Sequence, residues 1–295
     1  MSDTKKAVLF SLLGFFIFSL GDTARKFLLD VYEPLQIQFW ASFFSMAIII
    51  CFSPLLGGLK SLTTPRQPVL HGIKAIIVCA LILLVIFSLQ HLDLATFYTL
   101  VFLSPIFSSV GGALFFKERL HLYHVISLLI GFSGTLVVLR PGFQEFDWAM
   151  IFALVVGLLF SASSLLNKLF IKGDAYLPHG FYPYFLACII CAFAAQGEVV
   201  PVSIPDLLIL VLAGAGSALG LVCIVVAFQA GPAATAAPYH YTQLLWGALF
   251  GFLLFRDIPD MWTIIGAIMI IGAGGYLYIV ENTPFRKLAL RGYQR

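Results

Sequence analysis

Residues 92–142 read LDLATFYTLVFLSPIFSSVGGALFFKERLHLYHVISLLIGFSGTLVVLRPG, and the chain contains this pattern twice. A charge-free run over 94–116 stops at Lys117-Glu118-Arg119, and a second apolar run follows over 125–139. At an offset of 139 residues, Phe116-Lys117-Glu118 falls on Phe255-Arg256-Asp257 and Tyr123 falls on Trp262, again between apolar runs. One membrane hairpin, used twice, is the economical reading. The expected fold class is therefore an all-α polytopic membrane protein built by duplication.

Composition points the same way. Of 295 residues, 61% are hydrophobic and 11% charged, against about a quarter charged in soluble domains. Cys51, Cys79, Cys188, Cys191 and Cys223 all lie inside apolar runs and read as packing residues, the Cys188–Cys191 pair included. Lys5-Lys6 ahead of the run from Ala7 resembles a leader peptide, but no small-residue cleavage site follows, so a retained first helix is expected.

A bilayer core takes about 20 apolar residues per helix. Predominantly apolar runs give ten candidates, at 7–29, 34–56, 70–90, 92–116, 121–139, 148–170, 177–197, 207–230, 233–255 and 261–281. The last cut but one rests on Gly231-Pro232, because proline has no backbone donor and disfavours helix in the residue before it. With the amino end inside, Lys5, Lys6, Lys60, Arg66, Lys74, Lys117, Arg119, Lys168, Lys172, Arg286, Lys287, Arg291 and Arg295 are cytoplasmic. Arg25, Lys26, Arg140 and Arg256 are not, and that asymmetry sets the orientation, with both termini cytoplasmic. Five helices per half then put the second copy upside down, as in many secondary transporters. The expected domains are a first five-helix repeat over 1–143, an inverted repeat over 144–285 and a basic cytoplasmic tail over 286–295.

Ionisable groups inside a span are costly and face a cavity or a partner. Asp22 and Lys26 stand four apart on one helical face and could neutralise each other, which leaves Arg25 unmatched. Matching Lys26 to Lys168 pairs Arg25 with Asn167 and Asp22 with Ser164, so Asp22, Arg25, Lys26, Asn167 and Lys168 form a candidate gating or charge-pair set. In the ninth span, Tyr239, Gln243 and Trp246 recur at i, i+4, i+7. That spacing gives an amide between two aromatic rings, a face suited to a flat or cationic metabolite. With His240 beside them, Tyr98 and Ser104 in the fourth span and Trp40 in the second, they are the candidate substrate-binding residues. His240 and Asp93 join Asp22 as candidate proton carriers. No P-loop, H-E-x-x-H or G-x-S-x-G occurs, and no cofactor, metal or nucleic-acid partner is expected.

In Leu103-Ser104-Pro105-Ile106-Phe107 with Phe116-Lys117-Glu118-Arg119, then Ala237 to Gln243 with Phe255-Arg256-Asp257-Ile258-Pro259-Asp260, the chain resembles the EamA-type transporters of the drug/metabolite transporter superfamily. Asp22-x-x-x-Lys26 is similar to a motif of the branch that includes S-adenosylmethionine carriers. Trp40-Ala41-Ser42 stands where many members place an arginine. The resemblance implies ten helices around a central cavity and alternating access for a small polar or zwitterionic metabolite, in the bacterial inner membrane, as a monomer or homodimer in the lipid bilayer. The other reading is a membrane-embedded enzyme acting on a lipid-soluble substrate.

Overall fold

The computed structural model describes residues 3–29, 31–92, 94–141, 147–171, 174–194, 200–256 and 258–282. Helices are the only regular elements among them: α1 (Asp3–Lys26), α2 (Pro34–Cys51), α3 (Lys60–Thr63), α4 (Pro68–His91), α5 (Leu94–Val101), α6 (Ser104–Phe116), α7 (Leu122–Leu139), α8 (Trp148–Leu166), α9 (Leu177–Ala194), α10 (Ile204–Ala230), α11 (Ala233–Ala236), α12 (Thr242–Phe250) and α13 (Met261–Asn282). Nine stretches among the described residues are long and apolar enough to cross a membrane, α5 and α6 together supplying one. Proline opens α2 and α4 at their first turn, where its missing N–H costs nothing.

The run over 233–255 is not one helix. After α11 the chain tightens into a 3₁₀ turn over Ala237–Tyr241, resumes as α12, and widens into a π turn over Gly251–Phe255. Pro238 is the physical reason at the first break, since it withdraws a donor from the ladder. The break in α5–α6 falls in the same way, at Phe102-Leu103 ahead of Pro105.

The duplication read from the sequence is visible in backbone detail. Lys117 and Arg256, aligned at the offset of 139, both end their helices in the left-handed region, with φ of 54° and 60°. Their following helices start at Leu122 and Met261, also 139 apart. Each first turn is closed by a side-chain acceptor, from within the helix in α7 and from the preceding residue in α13. His124 Nδ1 accepts from the His121 N–H at 3.1 Å, and Asp260 Oδ1 accepts from the Thr263 N–H at 2.9 Å. That backbone donor, with the Thr263 hydroxyl and Arg140, holds the Asp260 carboxyl below the usual carboxylate range.

Packing repeats as well. α1 lies on α10 as α8 lies on α4, while α2 packs on α9 and α7 on α13, each on its own counterpart. Such an exchange relates the two halves by a pseudo-twofold. Helix association in lipid depends on close backbone approach at small residues. A Cβ on Gly216 would sit 2.5 Å from the Gly21 Cα, so α1 and α10 touch backbone to backbone there. Gly134 and Gly266 play the same part between α7 and α13. Gly247 meets nothing closer than Ser19 Oγ at 3.8 Å, so no helix packs closely against it. Large apolar side chains such as Phe115, Ile204 and Ile268 face outward, as a lipid-facing surface requires. All five cysteines are free thiols. The expected tail over 286–295 lies outside the described residues, as does Asp93.

Candidate functional site

The last two turns of α1 carry Asp22 and Arg25, and three residues of spacing puts both on the face that meets α10 and α12. Arg25 donates to Asp22 Oδ1 at 2.9 Å and, with its other terminal nitrogen, to the Ser217 hydroxyl on α10. Gln243, at the start of α12, donates to the second Asp22 oxygen at 2.9 Å. Tyr98 on α5 and Tyr184 on α9 face the same pair of charges. The group thus draws on both halves. Asp22 keeps 41% of its side-chain surface although it stands inside the bundle, so it borders an interior space.

Two polar atoms here lack partners. Trp246, one turn beyond Gln243, packs edge-on against Phe16 at 5.1 Å, while its buried indole N–H meets no acceptor. The Arg25 Nε is likewise buried and unmatched. A carboxylate, a guanidinium and an amide joined at one place between the halves can hold a small molecule that carries charges of both signs.

Several expected residues stand elsewhere. Asp22 pairs with Arg25 and not with Lys26, which turns outward and lies 4.2 Å over the Phe255 ring. The reason is what the neighbours offer: α10 presents Ser217 to Arg25, whereas Lys26 finds an aromatic face at the end of the π turn. Tyr239 does not share the face of Gln243 and Trp246. The 3₁₀ turn changes the rotation per residue, and its ring is buried with Phe15 and Leu277, the hydroxyl reaching Gly274 O at 3.4 Å. His240 lies between the Phe15 and Phe160 rings, at 4.4 and 4.5 Å, and its Nδ1 meets the buried Ser104 hydroxyl at 3.0 Å. Ser104 and His240 therefore tie α6 to the 3₁₀ turn within packed aromatic surroundings. Trp40 sits among Phe39, Phe43 and Phe44 beside Leu28 and Tyr32.

Asn167 and Lys168 part company. Lys168 makes an ion pair with Glu118 at 2.7 Å and donates to Gly231 O at 2.5 Å, while Glu118 also accepts from the Ala233 N–H at 2.8 Å. Asn167 accepts instead from Lys74 on α4, at 2.6 Å. Lys74, expected in cytoplasmic solvent, is 1% exposed. Arg25 with Ser217 joins α1 to α10, and Lys74 with Asn167 joins their counterpart helices, α4 and the end of α8. Sequence reasoning missed Ser217, Tyr184 and Lys74. Of these only Lys74 carried a signal, a charge five residues inside a run that was counted as a span.

Comparison with known proteins agrees with this architecture. The EamA-like transporter family model matches residues 5–140 and again 147–278. A Rickettsia bellii protein named S-adenosylmethionine uptake transporter is 23% identical over 280 residues, covering 93% of this chain and 96% of its own. A Rhizobium johnstonii riboflavin transporter is 29% identical over 193 residues, covering 64% and 62%. One solved crystal structure shares the fold with a TM-score of 0.79 at 18% identity, covering 94% of this chain and 97% of that one. With both halves of the chain matched by the family model, the protein belongs to the EamA-like transporter family.

Proposed function

We propose that the protein is a secondary transporter for a small zwitterionic metabolite, of the amino acid or S-adenosylmethionine kind, which binds at Asp22, Arg25, Gln243 and Trp246. One observation carries the reading: a carboxylate and a guanidinium 2.9 Å apart, inside an apolar bundle, joined to the other half through Gln243 and Ser217. In this reading Asp22 receives the cargo's ammonium and Arg25 its carboxylate, each exchanging an internal partner for the cargo. The names of the rickettsial and rhizobial relatives support a metabolite cargo.

The finer architecture belongs to the same proposal. The broken segment over 233–255 is the tenth crossing, both termini are cytoplasmic, and the halves, divided near residue 143, are inverted repeats that rock about the central group in the bacterial inner membrane. The cation asymmetry between loops and the exchange of helix partners support it.

The test is uptake into liposomes of a radiolabelled panel of amino acids, S-adenosylmethionine and nucleosides. Saturable entry of a zwitterion is expected, and Asp22→Asn should lower kcat/KM by roughly tenfold or more, the worth of a charge-assisted hydrogen bond. Entry of a neutral nucleoside alone, indifferent to Asp22→Asn, would overturn the assignment.

A further inference from the structure

Away from the central group, another set of ionisable side chains is buried between the halves. Lys74 and His71, three residues apart on α4, face Asn167 at the end of α8, Asp174 in the connection to α9, and His179 on α9. Lys74, His71, Asn167 and His179 are each 1% exposed and Asp174 is 7%. The Lys74 ammonium donates to Asn167 Oδ1 at 2.6 Å and lies 3.1 Å from His179 Nδ1. Both partners are uncharged acceptors, and no carboxylate among the described residues forms an ion pair with Lys74. The one carboxylate in the cluster, Asp174, engages His71 Nε2 at 3.2 Å.

Two ring nitrogens remain. His71 Nδ1 and His179 Nε2 are buried and have no partner, and the two rings meet edge to face at 4.8 Å. A nitrogen of each ring and an Asp174 oxygen converge within 4.8 Å. A divalent metal would suit that convergence but for the ammonium 3.1 Å from His179, which opposes it.

We propose that Lys74 is a proton-binding site, and that His179, His71 and Asp174 connect it to the cytosolic side. The inference rests on the carrier reading above and adds proton coupling to it. The step is a simple transfer. The N–H bond on Lys74 Nζ breaks and leaves its electron pair on a neutral amine, while a new N–H bond forms on His179 Nδ1. His179 then gives up its Nε2 proton to His71 Nδ1 through one water between the two unpartnered nitrogens, and His71 passes its Nε2 proton through Asp174 to cytosolic water. The cluster ends with one proton fewer and one positive charge fewer. An ammonium that has only an amide and an imidazole around it is suited to this, because no fixed anion compels it to stay charged.

Other titratable groups around the cluster are otherwise engaged or stand back. From α9, the Tyr182 hydroxyl donates to Leu62 O at 2.5 Å and its ring lies 6.1 Å from His71. The Tyr176 ring is 6.5 Å from His179. Lys168, next to Asn167, is committed to Glu118. Phe170 covers the His179 ring at 4.0 Å.

The decisive variant is Lys74→Arg, which keeps the positive charge but cannot release its proton. Liposomes would be clamped with valinomycin and equal potassium, and radiolabelled S-adenosylmethionine followed in two modes. One is accumulation under a pH gradient, the other is exchange against internal unlabelled compound. For wild type, one proton per cargo should change accumulation about tenfold per pH unit, its sign distinguishing symport from antiport. Lys74→Arg should keep exchange within about twofold and lose the gradient response. A gradient response that survives in Lys74→Arg, or is missing from wild type that exchanges, overturns the proposal.

If wild type neither exchanges nor accumulates this compound, the cargo assignment fails by itself, and a readout free of cargo judges the proton site. In protein labelled with 15N-lysine in nanodiscs, the Lys74 resonance is identified by its loss in Lys74→Arg. A resonance that passes from ammonium to amine below pH 9 supports the site. One still an ammonium at pH 10 overturns it.

Discussion

At the scale of single residues, the charges at the end of α1 show how far a helical wheel can be trusted. Spacing alone places both Lys26 and Arg25 within reach of Asp22, and the choice between them is made by Ser217 and Gln243, which lie 192 and 221 residues away in sequence from the side chains they meet. Trp246 shows the reverse. Its place one turn from Gln243 was legible, and the structure adds an indole N–H that is buried without an acceptor beside Phe16. Such a group costs free energy unless something arrives to accept from it. Trp246→Phe keeps the aromatic edge against Phe16 and removes only that donor. We expect KM for the transported zwitterion to rise roughly twofold to tenfold, the worth of one neutral hydrogen bond, with kcat held. An unchanged KM in liposome uptake would show that the N–H takes no part in binding.

At the scale of elements, the sequence was legible where the backbone obeys local chemistry and opaque where two turns compete. The apolar runs, the proline-led starts and the duplicated break at Lys117 and Arg256 all follow from local rules. The face of Tyr239 does not, because Pro238 tightens five residues into a 3₁₀ turn and rotates that ring toward Leu277 while leaving Gln243 and Trp246 on α12. Lys74 was misplaced for a different reason. A charge near a span's end reads as solvated, and only the arrival of Asn167 and His179 shows that it is enclosed. The equivalence of Lys117 and Arg256 can itself be tested. Both hold a left-handed conformation, which costs an L-residue roughly 1–2 kcal/mol, and glycine is free of that cost. Lys117→Gly and Arg256→Gly should each leave thermal stability unchanged or raised. Lys117→Val and Arg256→Val should lower it, because a β-branched chain fits that conformation worst. A valine variant as stable as its glycine counterpart at either position would mean that the two breaks differ in conformation.

At the scale of the whole molecule, the pseudo-twofold makes the two ends comparable and shows where they differ. Toward one end, Lys168, Glu118, Gly231 O and the Ala233 N–H form a closed set that joins α6, α8 and the start of α11 across the halves. At the other, Lys168's counterpart Lys26 lies over Phe255, and Glu118's counterpart Asp257 is outside the described residues. In the rocking motion proposed above, the first set breaks once in each cycle, and its strength would set how often that end opens. The pair is 11% and 16% exposed, which places it between a surface bridge and a buried one, and removal of one partner leaves the other charge enclosed. Glu118→Gln and Lys168→Met should therefore each speed amide exchange over residues 231–236, read by mass spectrometry. Equilibrium binding at the Asp22 group should stay within about twofold, because opening at one end leaves the central contacts in place. The double variant should add little to either single one, with a coupling energy of about 0.5–3 kcal/mol, as for residues in one network. Additive effects would show that the two side chains act separately, and that the halves are held together elsewhere at this end, where His124 and Thr235 both meet Glu281.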